Sequence, residues 1–482
     1  MKSLYVVSLF AATLVMLSVA TGQQSKTAGQ RDQPVSVTTP ADISDRALGV
    51  HNRNNIGMSF ENRGRLYPRR SSPATPCGEW PIKSGMEYIF RMNPFVGIPG
   101  NVIQCRWVLN EEWEAAAGYH NRDSAKIAFS DKPNSWPATG WPVKDAVGNP
   151  VFVSDQDSYC VYNDSNNTKG ILNIQINQTG YAYSAALYEN MVCFTYQVVN
   201  KSTLTYDSLY FGLYCDIDVG DVAGVGTPEY ADDLVGFNKQ LQLLYFYDDG
   251  YTADWPGNRT GYFGVTMLKT PPVKGAEPGI TDFHYNVFED DADIDTLQYG
   301  ILSSAPSLYA SPDGSKYFHL GANAPDLHFD DPATIPATGL DVLANLGSGP
   351  YTMKPGDTLT FATAIVAGLT LQELLDQASA ARGLTDVLVD HRGVAGGFRL
   401  EQNYPNPFNP TTVISYQLPV VSNVRLGVYD LLGREVAVLI NERKAPGSYE
   451  VKFDGSGLSS GVYFYRLTAG TFVQARKLLL LR

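Results

Sequence analysis

Short runs that alternate apolar and polar residues recur along this chain, and each is closed by a turn-forming cluster. Val192, Phe194, Tyr196 and Val198 alternate with more polar neighbours until Asn200-Lys201-Ser202 breaks the run. Leu209, Phe211 and Leu213 form a second alternating run, so the two read as antiparallel neighbours. Further runs cover Leu241 to Tyr247, closed by Asp248-Asp249-Gly250, then Tyr262 to Leu268 and Thr358 to Val366. A period of two places every second side chain on one face of a strand, and such faces are buried by stacking sheets. The 44 Gly and 29 Pro supply turns for many short strands. The expected class is all-β: a large antiparallel β-sandwich with one packed helix, followed by a smaller sandwich at the C-terminus.

The helix is expected after Thr370-Leu371-Gln372-Glu373, a capping-box pattern in which the Thr hydroxyl and the Glu carboxylate satisfy free backbone N–H groups. Leu371, Leu374, Leu375, Ala378 and Ala381 fall on one helical face, and Gly383 closes the end. The helix should pack on a sheet.

At 482 residues the chain is too long for one ordinary core. Its charge divides it into three. Residues 21–75 carry 8 Lys/Arg against 4 Asp/Glu, residues 76–395 carry 17 against 39, and residues 396–482 carry 10 against 6. A net charge of −13 argues against a nucleic-acid partner, which demands a basic surface. The middle segment holds the acidity, and its Asp-rich loops suit either calcium or plain solubility. The expected organisation is a signal peptide at 1–22, a flexible leader at 23–40, a β-rich passenger at 41–395, of two sheets or subdomains, and a C-terminal sandwich at 396–482.

Lys2 is followed by an almost wholly apolar Leu4 to Leu17, and Ser18-Val19-Ala20 offers the small residues of a cleavage site. That is the layout of a secretory signal peptide. No other apolar run reaches the roughly 20 residues that cross a bilayer, so no transmembrane segment is expected in the mature chain. Cys77, Cys105, Cys160, Cys193 and Cys215 lie within 139 residues. Export permits disulfides, yet an odd count leaves one thiol over, and the spacing does not choose between bridges and buried thiols. No Cys/His spacing for metal occurs, so no haem, zinc, nucleotide or flavin is expected.

The last 85 residues are the most specific part. Gln402-Asn403-Tyr404-Pro405-Asn406-Pro407-Phe408-Asn409-Pro410-Thr411-Thr412 opens them, followed by the alternating run Val413 to Pro419. Val424 to Tyr429, the turn Asp430-Leu431-Leu432-Gly433-Arg434-Glu435-Val436, Gly447-Ser448-Tyr449, Val451 to Asp454 and Ser460 to Leu467 come next, and Arg476 to Arg482 closes them. About seven short strands with turns between them predict an Ig-like sandwich. The proline-rich opening cannot continue a ladder and should be an extended lead-in. These residues resemble the C-terminal sorting domain of type IX secretion cargo, in the form related to flagellar hook-capping Ig-like domains. The resemblance implies recognition of residues 398–482 by the type IX secretion machinery. It also implies passage through the periplasm, then release or attachment at the outer cell surface, in Gram-negative bacteria of the Bacteroidota type and their relatives.

The passenger resembles uncharacterised long secreted proteins with the same tail, through Glu79-Trp80-Pro81-Ile82-Lys83-Ser84-Gly85, Ser154-Asp155-Gln156-Asp157, Val161-Tyr162-Asn163-Asp164 and Asp232-Asp233-Leu234-Val235-Gly236. It shows no GxSxG, no HExxH and no phosphate-binding glycine loop, so no catalytic residue is named. Trp136 and Trp141, held on a proline-stiffened loop, are candidates for stacking on a sugar or apolar ligand, or for packing the sandwich edge. Asp216 and Asp218 point the same way from an extended chain, and Asp221, Asp232 and Asp233 follow across Gly220. Five carboxylates so close repel one another without a cation, which makes them a candidate calcium site or a solvated acidic loop. The expected function is a secreted or cell-surface structural or binding protein, with a surface glycan or other extracellular ligand as partner. The alternative is a secreted hydrolase acting on extracellular polymers such as polysaccharide.

Overall fold

The computed structural model describes residues 46–66, 75–105, 111–116, 127–144, 148–220, 233–248, 260–287, 294–303, 318–319, 327–329, 342–390, 399–418, 422–444, 447–469 and 472–481. The signal peptide, the leader and the junction at 391–398 lie outside the described residues.

The passenger is built on two antiparallel sheets. In spatial order the ten-stranded sheet runs Leu327–Phe329, Leu234–Asn238, Leu243–Tyr247, Tyr262–Lys269, Thr358–Gly368, Met191–Asn200, Ile174–Ala182, Gln156–Asn163 and Glu114–Ala115, with Ala128–Phe129 also pairing to Gln156–Asn163. The six-stranded sheet runs Phe318–His319, Asp282–Val287, Val342–Met353, Tyr206–Ile217, Ile89–Ile98 and Asn101–Ile103. Their inner faces share one core, in which Phe194, Tyr196, Phe263 and Ile365 of the first sheet meet Met92, Leu213, Phe283 and Leu346 of the second. Phe211 stacks on Phe361 across it at 4.2 Å, and Phe237 on Phe283 at 4.8 Å. A three-stranded sheet of Leu48–His51, Gly57–Glu61 and Cys77–Glu79 adds Met58 and Phe60 to the same core.

One expected pairing is corrected. Met191–Asn200 and Tyr206–Ile217 are not neighbours in a sheet; they lie in opposite sheets and face each other, with Tyr196 and Phe211 ring centroids 5.4 Å apart. Both strands are apolar on the inward face, and stacking buries both faces where pairing edge to edge would leave them open. The crossover is fixed by Asn200, whose Nδ2 donates to Leu204 O at 2.8 Å and to Met353 O at 3.1 Å.

Helices cover the outer faces. α2 (Leu371–Arg382) starts at Thr370, whose hydroxyl accepts from Glu373 N–H at 3.2 Å; the Glu373 carboxylate accepts from Leu369 N–H at 2.8 Å. Leu374, Ala378 and Ala381 press onto the ten-stranded sheet. Gly383 keeps a right-handed helical conformation (φ −64°), so the chain turns directly into α3 (Thr385–Asp390), whose Leu388 joins the same cluster. A further helix, α1 (Asp295–Leu302), covers the six-stranded sheet. Its Leu302 rests where Gly97, Gly212 and Gly347 leave no side chain on three adjacent strands. All five cysteines are free thiols buried in the passenger.

The tail is a separate sandwich. Arg399–Leu400, Thr411–Leu418 and Gly447–Asp454 form one sheet; Glu435–Lys444, Ser422–Tyr429, Gly461–Ala469 and Phe472–Leu480 form the other, in that order. Leu400, Ile414, Tyr416, Leu426, Tyr465 and Leu478 fill its own core. The Pro-rich opening makes only isolated bridges, at Tyr404 with Val413 and at Phe408 with Leu480, as an extended lead-in should. None of the described helices is long and apolar enough to cross a membrane.

Candidate functional site

The outer face of the six-stranded sheet carries an unusual share of polar side chains. Asn93, Tyr214, Asn345 and His284 are successive Cα partners across four neighbouring strands, and the backbone of His319 extends the line onto a fifth. Cross-strand partners share a face, so these residues form one row. In the adjacent row Arg91 partners Asp216, which partners Leu343. On the other side Phe95, Gly212, Gly347 and Asp282 form a third. Arg91, Asn93, Tyr214, Asp216, Asp282, His284 and Asn345 are all buried, although they point away from the sandwich core. The Phe95 and Tyr214 rings stack at 5.6 Å. Asn93 Oδ1 accepts a long hydrogen bond, 3.5 Å, from Cys105 N–H. Its Nδ2, and Asn345 Oδ1, have no partner among the described residues.

Each row follows from strand alternation. Arg91-Met92-Asn93, Tyr214-Cys215-Asp216 and Asp282-Phe283-His284 each place one apolar residue in the core between two outward groups. Sequence reasoning did not single out Arg91, Asn93, His284 or Asn345. The available signal was the polar residue types at outward positions of long strands.

Of the acids expected to bind calcium, Asp216, Asp218 and Asp233 are described and buried, whereas Asp221 and Asp232 lie outside the described residues. Asp218 N–H donates to Tyr88 O at 2.9 Å, and Asp233 Oδ1 accepts Val219 N–H at 2.8 Å. Asp233 thus meets the backbone one residue beyond Asp218, and Asp216 is the strand partner of Arg91. No group of three or more His, Cys, Asp or Glu side chains with the geometry to hold a metal occurs among the described residues.

The Trp pair does not form an open platform. Trp141 is wholly buried and donates Nε1–H to Val151 O at 2.8 Å, so only Trp136 keeps partial exposure. Trp136, Trp141 and Phe152 pack as a ring cluster with centroids 5.5–5.8 Å apart. Packing against Phe152 takes the Trp141 faces a flat ligand would need.

Two further arrangements bring titratable groups together. His51 Nε2 lies 2.9 Å from Ser158 Oγ, but both are buried and His51 is ringed by Phe60, Phe129 and Phe194. Burial lowers the His51 pKa to about 3, so the imidazole stays neutral. At the edge of α1, Lys169 Nζ lies 2.5 Å from Asp295 Oδ1 and 3.2 Å from Glu112 Oε1. Desolvation raises Glu112 to about 7 against the opposing pull of Lys169. Two surface recesses, about 210 Å³ beside Arg382 and about 130 Å³ beside Asp164, fall below the roughly 300–1,000 Å³ of ordinary small-molecule pockets.

Residues 402–480 match the secretion system C-terminal sorting domain family. No curated protein matches the chain. Among solved structures, a polysaccharide lyase aligns at 9% identity and TM-score 0.24, over 90% of this chain and 46% of that one. A family GH92 inverting mannosidase from Bacteroides thetaiotaomicron aligns at 8% identity and TM-score 0.28, over 85% and 40%. PorZ, a surface component of the type IX secretion system of Porphyromonas gingivalis, aligns at 11% identity and TM-score 0.17, over 91% and 58%. The chain thus spans about half the length of each, and similarity this low assigns the passenger neither a fold nor an activity.

Proposed function

We propose that this type IX secretion cargo, which its C-terminal sorting domain sends to the cell surface or extracellular space, acts there as a binding protein for a hydroxyl-rich extracellular ligand such as a surface glycan. The observation that supports this is the row Asn93–Tyr214–Asn345. Among the described residues this buried row carries an amide donor and an amide acceptor without partners, on either side of an aromatic ring. Two strand spacings separate them, about 10 Å. Leaving such groups buried and unsatisfied costs about 1–3 kcal/mol each, and a bound hydroxyl, which both donates and accepts, relieves that cost. Glycan-array screening followed by calorimetry on the full chain tests the reading. A hit should be lost in Asn93→Ala/Asn345→Ala, with the variant still folded. No hit, or equal binding by the variant, removes the reading; release of reducing ends from a bound polymer replaces it with the hydrolase.

Calcium is proposed as the companion ligand at Asp216, Asp218 and Asp233, with Asp221 and Asp232 completing the set by sequence. The support is that Asp216, Asp218 and Asp233 are all buried at one end of the Tyr206–Ile217 strand, with Asp216 the strand partner of Arg91 and Asp233 bonded to Val219 N–H beside Asp218. Melting in calcium and in chelator tests it: a cation that binds only the folded chain raises Tm with concentration, and Asp216→Ala/Asp218→Ala should lose that response. Identical melting in both conditions ends the proposal.

A further inference from the structure

The segment Ser154-Asp155-Gln156-Asp157 uses its two acids in opposite directions. Asp157 turns inward: its carboxylate accepts from Val153 N–H at 2.6 Å, and from Ser154 N–H at 2.8 Å and Ser154 Oγ at 2.5 Å. Asp155 turns outward. Its Oδ2 accepts from Ser184 N–H and Oγ, both at 2.7 Å, which fixes the turn that follows the Ile174–Ala182 strand. Its Oδ1 accepts from Nη2 of Arg443, on the tail strand Glu435–Lys444, and the same nitrogen donates to Ser184 Oγ. With Arg443 in place the Asp155 side chain is 15% exposed.

Tyr449, on Gly447–Asp454 of the other tail sheet, also faces this turn: its phenol is raised first by desolvation and next by the nearby Tyr188 of the same turn. The chain also leaves the passenger at this end, because Tyr181 Oη donates to Leu388 O of α3 at 3.3 Å. From Asp390 to Arg399 an extended chain reaches about 30 Å, enough to return the tail to this turn. Glu435–Lys444 is one edge of the four-stranded tail sheet, and Phe472–Leu480 is the other.

We propose that the passenger carries a docking surface for its own sorting tail: Asp155 and Ser184 receive Arg443, which holds the tail in one orientation against the passenger. Held this way, the tail is a fixed appendage of the passenger rather than a freely tethered module. Charge complementarity suits the arrangement, since the passenger is acidic and the tail basic.

The test is a charge exchange in the full chain, read by spin-label distances. The five native thiols are buried, so cysteines placed at Leu204 of the passenger and Leu432 of the tail, both well exposed, label selectively. The labelled wild type should give one narrow distance distribution. Arg443→Glu should broaden it at least twofold with unchanged circular dichroism, because Arg443 is 41% exposed and supports no core. Asp155→Arg combined with Arg443→Glu should narrow it again. A distribution already broad in the wild type, one unmoved by Arg443→Glu, or one that stays broad in the exchanged pair would overturn the docking.

Discussion

Tyr465 ties the opening of the tail to its core: its hydroxyl accepts Asn403 N–H at 2.8 Å and donates to Glu401 O at 2.5 Å. Asn403 spends its side chain on the same corner, donating to Pro405 O at 3.1 Å and Thr412 Oγ1 at 2.9 Å. Three residues on, Asn406 Oδ1 accepts Leu479 N–H at 2.9 Å, and Phe408 exchanges backbone bonds with Leu479 and Leu481. A proline-rich stretch has few N–H groups to give, so its side chains make the attachments.

Tyr465→Phe should therefore destabilise the tail by about 1–3 kcal/mol, because it strands a buried N–H and carbonyl while keeping the ring volume. Hydrogen exchange of the full chain should show faster exchange at 399–418 and 472–481, with passenger protection unchanged. Equal protection in the variant would mean the hydroxyl carries no stability.

The glycine seat under α1 gives a second expectation. A Cβ at Gly212 would lie 2.4 Å from both Leu302 Cδ2 and the Leu346 carbonyl oxygen, and the carbonyl cannot yield as a side chain can. Gly212→Ala should cost about 1–3 kcal/mol by overpacking. The same change at Gly457, which has open space around it, should be near neutral. Urea unfolding of the two variants compares them directly.

Much of this was legible in the sequence, and the limits have a physical origin. Alternation located the strands Leu243–Tyr247, Tyr262–Lys269 and Thr358–Gly368, and the capping residues placed α2. A period of two says which face of a strand is buried but not which strand lies beside it. The relation between Met191–Asn200 and Tyr206–Ile217 was therefore read as pairing when it is stacking. The polar row was hidden for the same reason. Asn93 and Asn345 come together only through the strand Tyr206–Ile217 that separates them, a relation no local pattern records.

Stability should respond to pH through groups of opposite sign. Glu112 sits at about 7 when folded, above the ordinary carboxylate range, so the folded chain holds its proton while the unfolded chain releases it. Its contribution is thus fully present at low pH and lost as pH rises from about 4.5 to about 7. His51, lowered to about 3, acts the other way: its contribution is present above about 6.5 and lost as pH falls toward 3. Denaturant midpoints between pH 4 and 8 should show Glu112→Gln gaining on wild type as pH rises. His51→Phe should gain as pH falls. Parallel profiles for all three proteins would contradict both assignments.

Delivery by the tail is the claim on which the rest depends, and it has a direct measurement. In the native host, deletion of residues 398–482 should leave the passenger in the periplasm, while those residues fused to an unrelated signal-bearing protein should carry it to the cell surface or medium. Immunoblots of periplasmic, surface and medium fractions give the answer. Wild-type levels of the truncated passenger outside the cell, or a fusion held in the periplasm, would contradict the account.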